Sequence, residues 1–301
     1  MKSYQRILVF VLSVLFLTTL LSPWVAGLWN LILEAYPEWQ EYRQPFSRIF
    51  DRLFMILGII FFFVCRPLLK IGSLSELGLQ PLPQAYWTLL RGFLLALGSV
   101  VVLGFVMSLS DVFTPYFRLS LSVTLERSVK ALLTAVTVGL LEEIFFRGMI
   151  LKGLLEEWRV TASFVAASLF YSAIHFVKPA EKLFFSGFDP WAGIRHLIYS
   201  FHAFLDPIAL FPGLFGLFLL GIVLSYAFLR TGSLYLSIGL HAGWIFGLKT
   251  IRVYGSYRRE DLGWLFGSSN PKFVSGVATW ICILAVGVIV HWMTRRRQGL
   301  K

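Results

Sequence analysis

Eight apolar segments, each close to the length of a membrane-spanning helix, constrain the fold of this chain more than any other feature. They lie at residues 7–27, 53–69, 87–108, 129–154, 160–177, 208–229, 233–250 and 273–293. The hydrocarbon core of a bilayer takes about 20 apolar residues per helix. Because lipid offers the backbone no hydrogen-bond partners, such segments must be helical. The sequence therefore predicts an all-α polytopic membrane protein with about eight transmembrane helices.

The charges of the chain fit a membrane protein better than a nucleic-acid-binding protein. Only 14% of the residues are charged, and the net charge is +11, whereas soluble domains carry about 25% charged residues. Basic residues concentrate in short loops and in the tail "RRRQGLK", as the positive-inside rule predicts for cytoplasmic segments. We therefore expect membrane lipid and not nucleic acid as a partner.

The tail and the number of spans together predict the topology. Eight spans place both termini on one side, and the basic tail puts that side in the cytoplasm. The expected location is the inner membrane of a bacterium. The first span is expected to be retained, because "LSPWVAGLW" lacks a small-x-small cleavage site. Cys65 and Cys282 lie in apolar segments and predict no disulfide framework.

Ionisable side chains inside the apolar segments are the strongest indication of function. They are Glu142, Glu143, Arg147, His175 and His241. Each costs on the order of 3 kcal/mol to place at membrane depth, so the default interpretation is a functional site. Small residues next to both histidines favour close helix packing that could bring these groups together.

Helical geometry predicts different roles for the two neighbouring glutamates. Glu143 and Arg147 are four residues apart, on one face of the helix, and can form an ion pair. Glu142 is turned about 100° away from Glu143, and Phe146 is its neighbour four residues later. Glu142 is therefore the carboxylate predicted to be available as a general base. His196 and His202, in the connector after the fifth span, are expected to be solvated.

At these residues the sequence resembles the CAAX-prenyl-protease and bacteriocin-processing (CPBP, or Abi) membrane proteins. "EEIFFRG" carries that family's EExxxR motif at Glu142, Glu143 and Arg147. Tyr171-Ser-Ala-Ile-His175 approximates the FxxxH motif, with Tyr in place of Phe. The resemblance covers 129–250, which becomes the predicted catalytic core. Residues 1–128 then form N-terminal helices with interfacial segments, and 251–301 a C-terminal helix with the basic tail.

The third family motif is present only in part. "TGSLYLSIGLHAGW" resembles it as far as His241, but Ile245 stands where the family has Asn or Asp. The family residue would supply a second oxyanion donor, and loss of one such donor can cost about 10²–10³ in rate. Ser237 or Tyr171 could replace it.

The resemblance implies a glutamate-dependent intramembrane endopeptidase. Glu142 would activate a water with help from His175, and His241 would stabilise the oxyanion. Glu143 and Arg147 would support the site. The expected substrate is a membrane-associated peptide or protein, prenylated or cleaved in a C-terminal tail. No cofactor or metal is expected.

Two alternatives remain open at this point. In the first, Glu142, His175 and His241 bind zinc as a His₂Glu set, although the chain has no HExxH. In the second, the chain is a non-catalytic membrane scaffold or immunity protein.

Overall fold

The computed structural model separates the chain into two compact units. It describes all residues except 118, 180–182, 185–187, 260, 268–272 and 296–301. The first unit comprises Met1–Gly72 and Ala173–Leu210, and the second comprises Ser73–Ser172 and Phe211–Lys301. Most of the basic tail lies outside the described residues, so the cytoplasmic location of the termini stays a prediction.

The described part of the chain is built almost entirely of helices. They are α1 (Ser3–Ala35), α2 (Phe46–Val64), α3 (Arg66–Leu69), α4 (Leu82–Leu109), α5 (Leu121–Glu143), α6 (Lys152–Leu155), α7 (Val160–Ile174), α8 (Ala192–Ser200), α9 (Pro207–Thr231), α10 (Leu234–Thr250), α11 (Gly263–Phe266) and α12 (Val277–Arg295). A π-helical segment, Ile144–Leu151, joins α5 to α6 without a break. Short 3₁₀ turns occupy Pro37–Tyr42, Leu74–Leu77, His202–Leu205 and Phe273–Ser275.

A two-stranded antiparallel sheet is the only other regular structure in the described residues. Strand β1 is Phe113–Pro115 and β2 is Gly255–Tyr257, with Phe113 opposite Tyr257. The prediction of an all-α fold is confirmed apart from this small ribbon.

Each of the eight predicted spans coincides with a helix, but fewer qualify as membrane spans. Within the described residues, four helices are long and apolar enough to cross a bilayer: Ser3–Ala35, Ala85–Leu109, Pro207–Thr231 and Val277–Arg295. Two others, α7 with 15 residues and α10 with 17, are short. The remaining two, α2 and α5, carry several charged residues. Four of the eight predicted spans therefore meet these criteria of length and composition.

The first unit is organised around the hairpin of α1 and α2, against which α8 packs. Ala26, Phe46, Phe50 and Ala192 form its buried apolar cluster. The α8 backbone approaches α1 closely at Gly193, where an added Cβ would overlap the carbonyl group of Thr19.

His196 contradicts the expectation that it is solvated. Its side chain on α8 is only 2% exposed, and its ring lies 4.4 Å from Phe50 and 5.5 Å from Phe46, centroid to centroid. Burial lowers the pKa of His196 to about 4, so the imidazole is neutral at pH 7. It behaves as a packing residue of a short amphipathic helix. His202, as expected, is exposed.

In the second unit, α10 is the central helix and packs against α4 and α5. Glycines allow the backbones to approach closely. An added Cβ would lie 2.6 Å from the Leu236 carbonyl oxygen at Gly92, and 3.3 Å from the Ala242 nitrogen at Gly139. From Leu234 to Trp244 every residue is buried. Among the small residues predicted next to His241, an added Cβ would lie 2.1 Å from the Leu89 carbonyl oxygen at Gly239 and 2.4 Å from the Phe93 carbonyl oxygen at Gly243, so close packing is present there.

The "TGSLY" stretch fixes the start of α10. Gly232 has a φ of +63°, a left-handed conformation that glycine adopts without strain. Ser233 caps the helix by accepting a hydrogen bond from the Tyr235 backbone N–H. The Leu234 N–H donates to the Gly78 carbonyl at 2.9 Å, and the Tyr235 hydroxyl donates to the Gln80 carbonyl at 2.6 Å. These bonds hold the helix that carries His241 in a defined position.

Two glycines of α4 provide a matched test of the close packing. Gly92→Ala should destabilise the protein by about 1–3 kcal/mol, because the methyl group overlaps the α10 backbone. Gly98 has no atom within 4 Å of an added Cβ, so Gly98→Ala should be neutral or slightly stabilising. Unfolding midpoints in detergent micelles compare the two variants. Equal midpoints would contradict the packing described for α4 and α10.

Candidate active site

The site forms where α5 passes into the π-helical segment. Glu142 and Glu143 are the last residues of α5, and Arg147 lies in the segment that follows. π-Helical turns are rare and occur often at functional sites. The wider turn changes the direction of the side chains relative to an unbroken α-helix.

The predicted ion pair between Glu143 and Arg147 is present and buried. Arg147 Nη1 lies 2.8 Å from Glu143 Oε1, and the two side chains are 1% and 0% accessible. Arg147 Nη2 donates a second hydrogen bond, of 3.2 Å, to the Gly221 carbonyl on α9. The guanidinium carbon lies 4.6 Å from the centre of the Tyr171 ring. A buried pair is tolerated only when further partners of this kind replace water.

His241 connects this pair to the second glutamate. Its Nδ1 lies 2.8 Å from Glu143 Oε1. Since a carboxylate paired with Arg147 can only accept, we assign the Nδ1 proton to this hydrogen bond. The other ring nitrogen, Nε2, lies 3.3 Å from the Tyr171 hydroxyl and 3.7 Å from Glu142 Oε2. Glu143 thus fixes the orientation of the imidazole, with Nε2 directed towards Tyr171 and Glu142.

The two glutamates differ in accessibility. The Glu143 side chain is fully buried, whereas that of Glu142 is 29% accessible. Glu143 contacts both Arg147 and His241 through Oε1. The roles of Glu142 as the reactive carboxylate and of Glu143 as its support stay predictions.

Of the two side chains predicted as possible oxyanion donors, Tyr171 is the one whose hydroxyl contacts His241. Its ring packs edge-on against Phe146 at 5.0 Å, centroid to centroid, and it is buried. Its hydroxyl contacts His241 Nε2, as described above. By contrast, the Ser237 hydroxyl donates to the Leu234 carbonyl of its own helix at 2.9 Å. Ile245, half-buried one turn after His241, has no polar group to offer.

The remaining predicted site residue, His175, belongs to the first unit. It directly follows the end of α7, four residues after Tyr171. Its assistance to Glu142 stays a prediction.

Three features of the site were missed by the sequence analysis. The Gly221 carbonyl binds Arg147, Glu143 binds His241, and the helix is π-wound at Arg147. A glycine inside an apolar helix could have indicated the first, because it marks close approach of another element. The contact between Glu143 and His241 and the π-helical turn cannot be inferred from the spacing of residues along the chain.

Side chains that could bind a metal ion were compared across the described residues. In the described part of the chain no three His, Cys, Asp or Glu side chains are arranged to hold an ion.

Taken together, the helices and the Glu-Arg-His cluster define an integral membrane protein with a buried polar site. Residues 124–247 match the family model described as type II CAAX prenyl endopeptidase, Rce1-like. This match supports the resemblance to the CPBP/CAAX-protease family that the sequence motifs indicated. Comparison with curated proteins and with solved structures gave no match.

The buried pair can be tested against an exposed pair of the same spacing on α5. Glu143→Gln should destabilise the protein by about 3–5 kcal/mol, because it leaves Arg147 buried and unpaired. Adding Arg147→Met should recover most of this loss. Denaturation by sodium dodecyl sulfate, followed by circular dichroism, measures both.

The control is Glu126→Gln, which removes the exposed partner of Lys130 and should leave the midpoint nearly unchanged. If Glu143→Gln were as mild as this control, the buried pair would not hold the site together.

Proposed function

We propose that this protein is an intramembrane endopeptidase in which Glu142 activates a water molecule. One observation carries the proposal: the partly accessible carboxylate of Glu142 lies 3.7 Å from Nε2 of His241, whose opposite ring nitrogen is held by the buried Glu143–Arg147 pair. General bases need such an available carboxylate near an oriented partner. The family match adds the reaction class, since its description is that of an endopeptidase.

The proposed reaction begins with attack by water. Glu142 accepts a proton from the water as its oxygen bonds to the substrate carbonyl carbon. The carbonyl oxygen takes up the electron pair and becomes an oxyanion. When the intermediate collapses, the C–N bond breaks and the leaving nitrogen takes the proton from Glu142. One water is consumed, and an amine and a carboxylic acid are released.

Two groups on the far side of the cluster would stabilise the oxyanion. Protonated His241 offers Nε2–H, and Tyr171 offers its hydroxyl; the two atoms are 3.3 Å apart. Donors held rigidly at the developing charge are commonly the largest contribution to such reactions. Tyr171 thus supplies what Ile245 cannot. The resemblance assigns His175 to assist Glu142, and this role forms part of the proposal.

The proposed substrate is a membrane-associated peptide or protein, prenylated or cleaved within a C-terminal tail. Prenylation comes to this chain from the description of its family. A membrane location of the substrate fits a site carried by helices of an integral membrane protein.

Two alternatives have distinct outcomes. A zinc-dependent version, with Glu142, His175 and His241 as ligands, predicts loss of cleavage on complete metal removal and recovery on adding Zn²⁺. A non-catalytic scaffold or immunity protein predicts that Glu142→Gln retains full biological function. The proposed glutamate mechanism predicts cleavage that survives chelation and is lost in Glu142→Gln.

The first prediction concerns the base. Glu142→Gln should lower cleavage of prenylated C-terminal peptides by roughly 10²–10⁴-fold, the range that a positioned general base contributes. Glu126→Gln, on the exposed face of the same helix, should cleave normally. Mass spectrometry of products from purified protein in lipid nanodiscs measures both. Unchanged cleavage by Glu142→Gln would remove this residue from the mechanism.

The second prediction concerns Tyr171. Tyr171→Phe keeps the ring over Arg147 but removes the hydroxyl, so kcat should fall about 10²–10³-fold with little change in KM. The matched control is Tyr235→Phe, which loses a hydroxyl bonded to the Gln80 carbonyl and should alter stability rather than kcat. Equal kcat values for the two variants would exclude Tyr171 as an oxyanion donor.

A further inference from the structure

The first unit contains a groove between α1 and α2 that is apolar at one end and charged at the other. One wall consists of α1 residues between Val25 and Ile32, and the other of α2 residues between Ile49 and Ile56. The groove has a volume of about 360 Å³, within the range of ligand-binding pockets. We refer to it as the α1–α2 groove.

Arginines mark one end of this groove. Arg48 and Arg52 border its apolar part and also line a second, polar depression that contains Asp51. Both arginines are exposed, and Arg48 Nη1 lies 2.6 Å from Gln44 Oε1. With two guanidinium groups and one carboxylate, this end carries a formal charge of +1.

Aromatic residues place the charged end at the membrane surface. The connection between α1 and α2 exposes Tyr36, Trp39 and Tyr42, and the first two rings stack at 5.2 Å. Tyrosine and tryptophan are enriched at the level of lipid headgroups. Since Arg48 and Arg52 lie in the first two turns of α2 after this connection, the apolar end of the groove lies deeper in the membrane.

One buried donor in the groove has no partner in the protein. Trp29 lines the apolar wall, and its Nε1 is buried without a hydrogen-bond acceptor among the described residues. Buried donors are nearly always satisfied. An ester or phosphate oxygen from a molecule in the groove would satisfy this one.

We propose that the α1–α2 groove binds a membrane phospholipid with a singly charged anionic headgroup, such as phosphatidylglycerol. Its acyl chain lies between α1 and α2, and its phosphodiester contacts Arg48 and Arg52. The charge of +1 that these arginines and Asp51 carry together complements the single negative charge of the headgroup. The order from headgroup to acyl chain matches the order from polar to apolar along the groove. The site lies within the first unit and does not depend on the proposed peptidase activity.

Photo-crosslinking in nanodiscs tests the proposal. The probe is phosphatidylglycerol with a diazirine on its acyl chain, and the comparison probes are the phosphatidylcholine and phosphatidylethanolamine analogues. Peptide mapping should find the phosphatidylglycerol label on α1 near Val25–Trp29 and on α2 near Leu53–Ile56. The Arg48→Gln/Arg52→Gln double variant should bind it roughly ten- to thirtyfold more weakly, since each arginine at a membrane surface contributes about fivefold.

The matched control is Arg43→Gln, an exposed arginine beside the groove but not lining it, which should label like the unchanged protein. Trp29→Phe keeps an aromatic side chain and removes the N–H donor, so weaker labelling is expected. This variant tests the proposal even if the double variant fails to fold. The proposal is overturned if the three lipids label equally, if labels spread over other helices, or if Arg43→Gln weakens binding as much as the double variant.

Discussion

The energetic cost of burying the Glu143–Arg147 pair determines how the second unit is put together around its site. Neither group can reach water, so each needs partners from neighbouring helices. Arg147 obtains the Gly221 carbonyl of α9 and the ring of Tyr171 on α7, and Glu143 obtains His241 on α10. The ion pair between two residues of one helix thereby fixes the positions of three other helices, α7, α9 and α10. The histidine that it orients is also the one that faces Glu142.

Close backbone packing is what makes these contacts possible. His241 lies on the helix that α4 and α5 approach through glycine, at Gly92 and Gly139. Gly221 performs the same function on α9, since an added Cβ would lie 3.2 Å from Tyr171 Cδ1. Larger side chains at such positions would increase the distances across the cluster. In a membrane, where apolar burial does not drive helices together, small residues of this kind decide which helices meet.

The sequence predicts the parts of this structure that depend on neighbours along the chain. The pairing of Glu143 with Arg147 follows from helical spacing, and the start of α10 follows from the turn residues of "TGSLY". Contacts between helices do not follow from spacing, so the sequence missed Glu143 as the partner of His241. The same limit explains His196, which α8 buries against Phe46 and Phe50 from a distant part of the chain.

In the proposed mechanism, Tyr171 compensates from another helix for a departure from a family motif. At Ile245 a hydrocarbon replaces the expected polar side chain on α10. The motif that contains Tyr171 departs in the opposite sense, since it has a hydroxyl where the family has Phe. That hydroxyl lies against His241 Nε2, on the atom that would also face an oxyanion. In the proposed mechanism, a donor lost from one helix and a donor gained on another leave the number of groups around the reacting carbonyl unchanged, which would link the two departures.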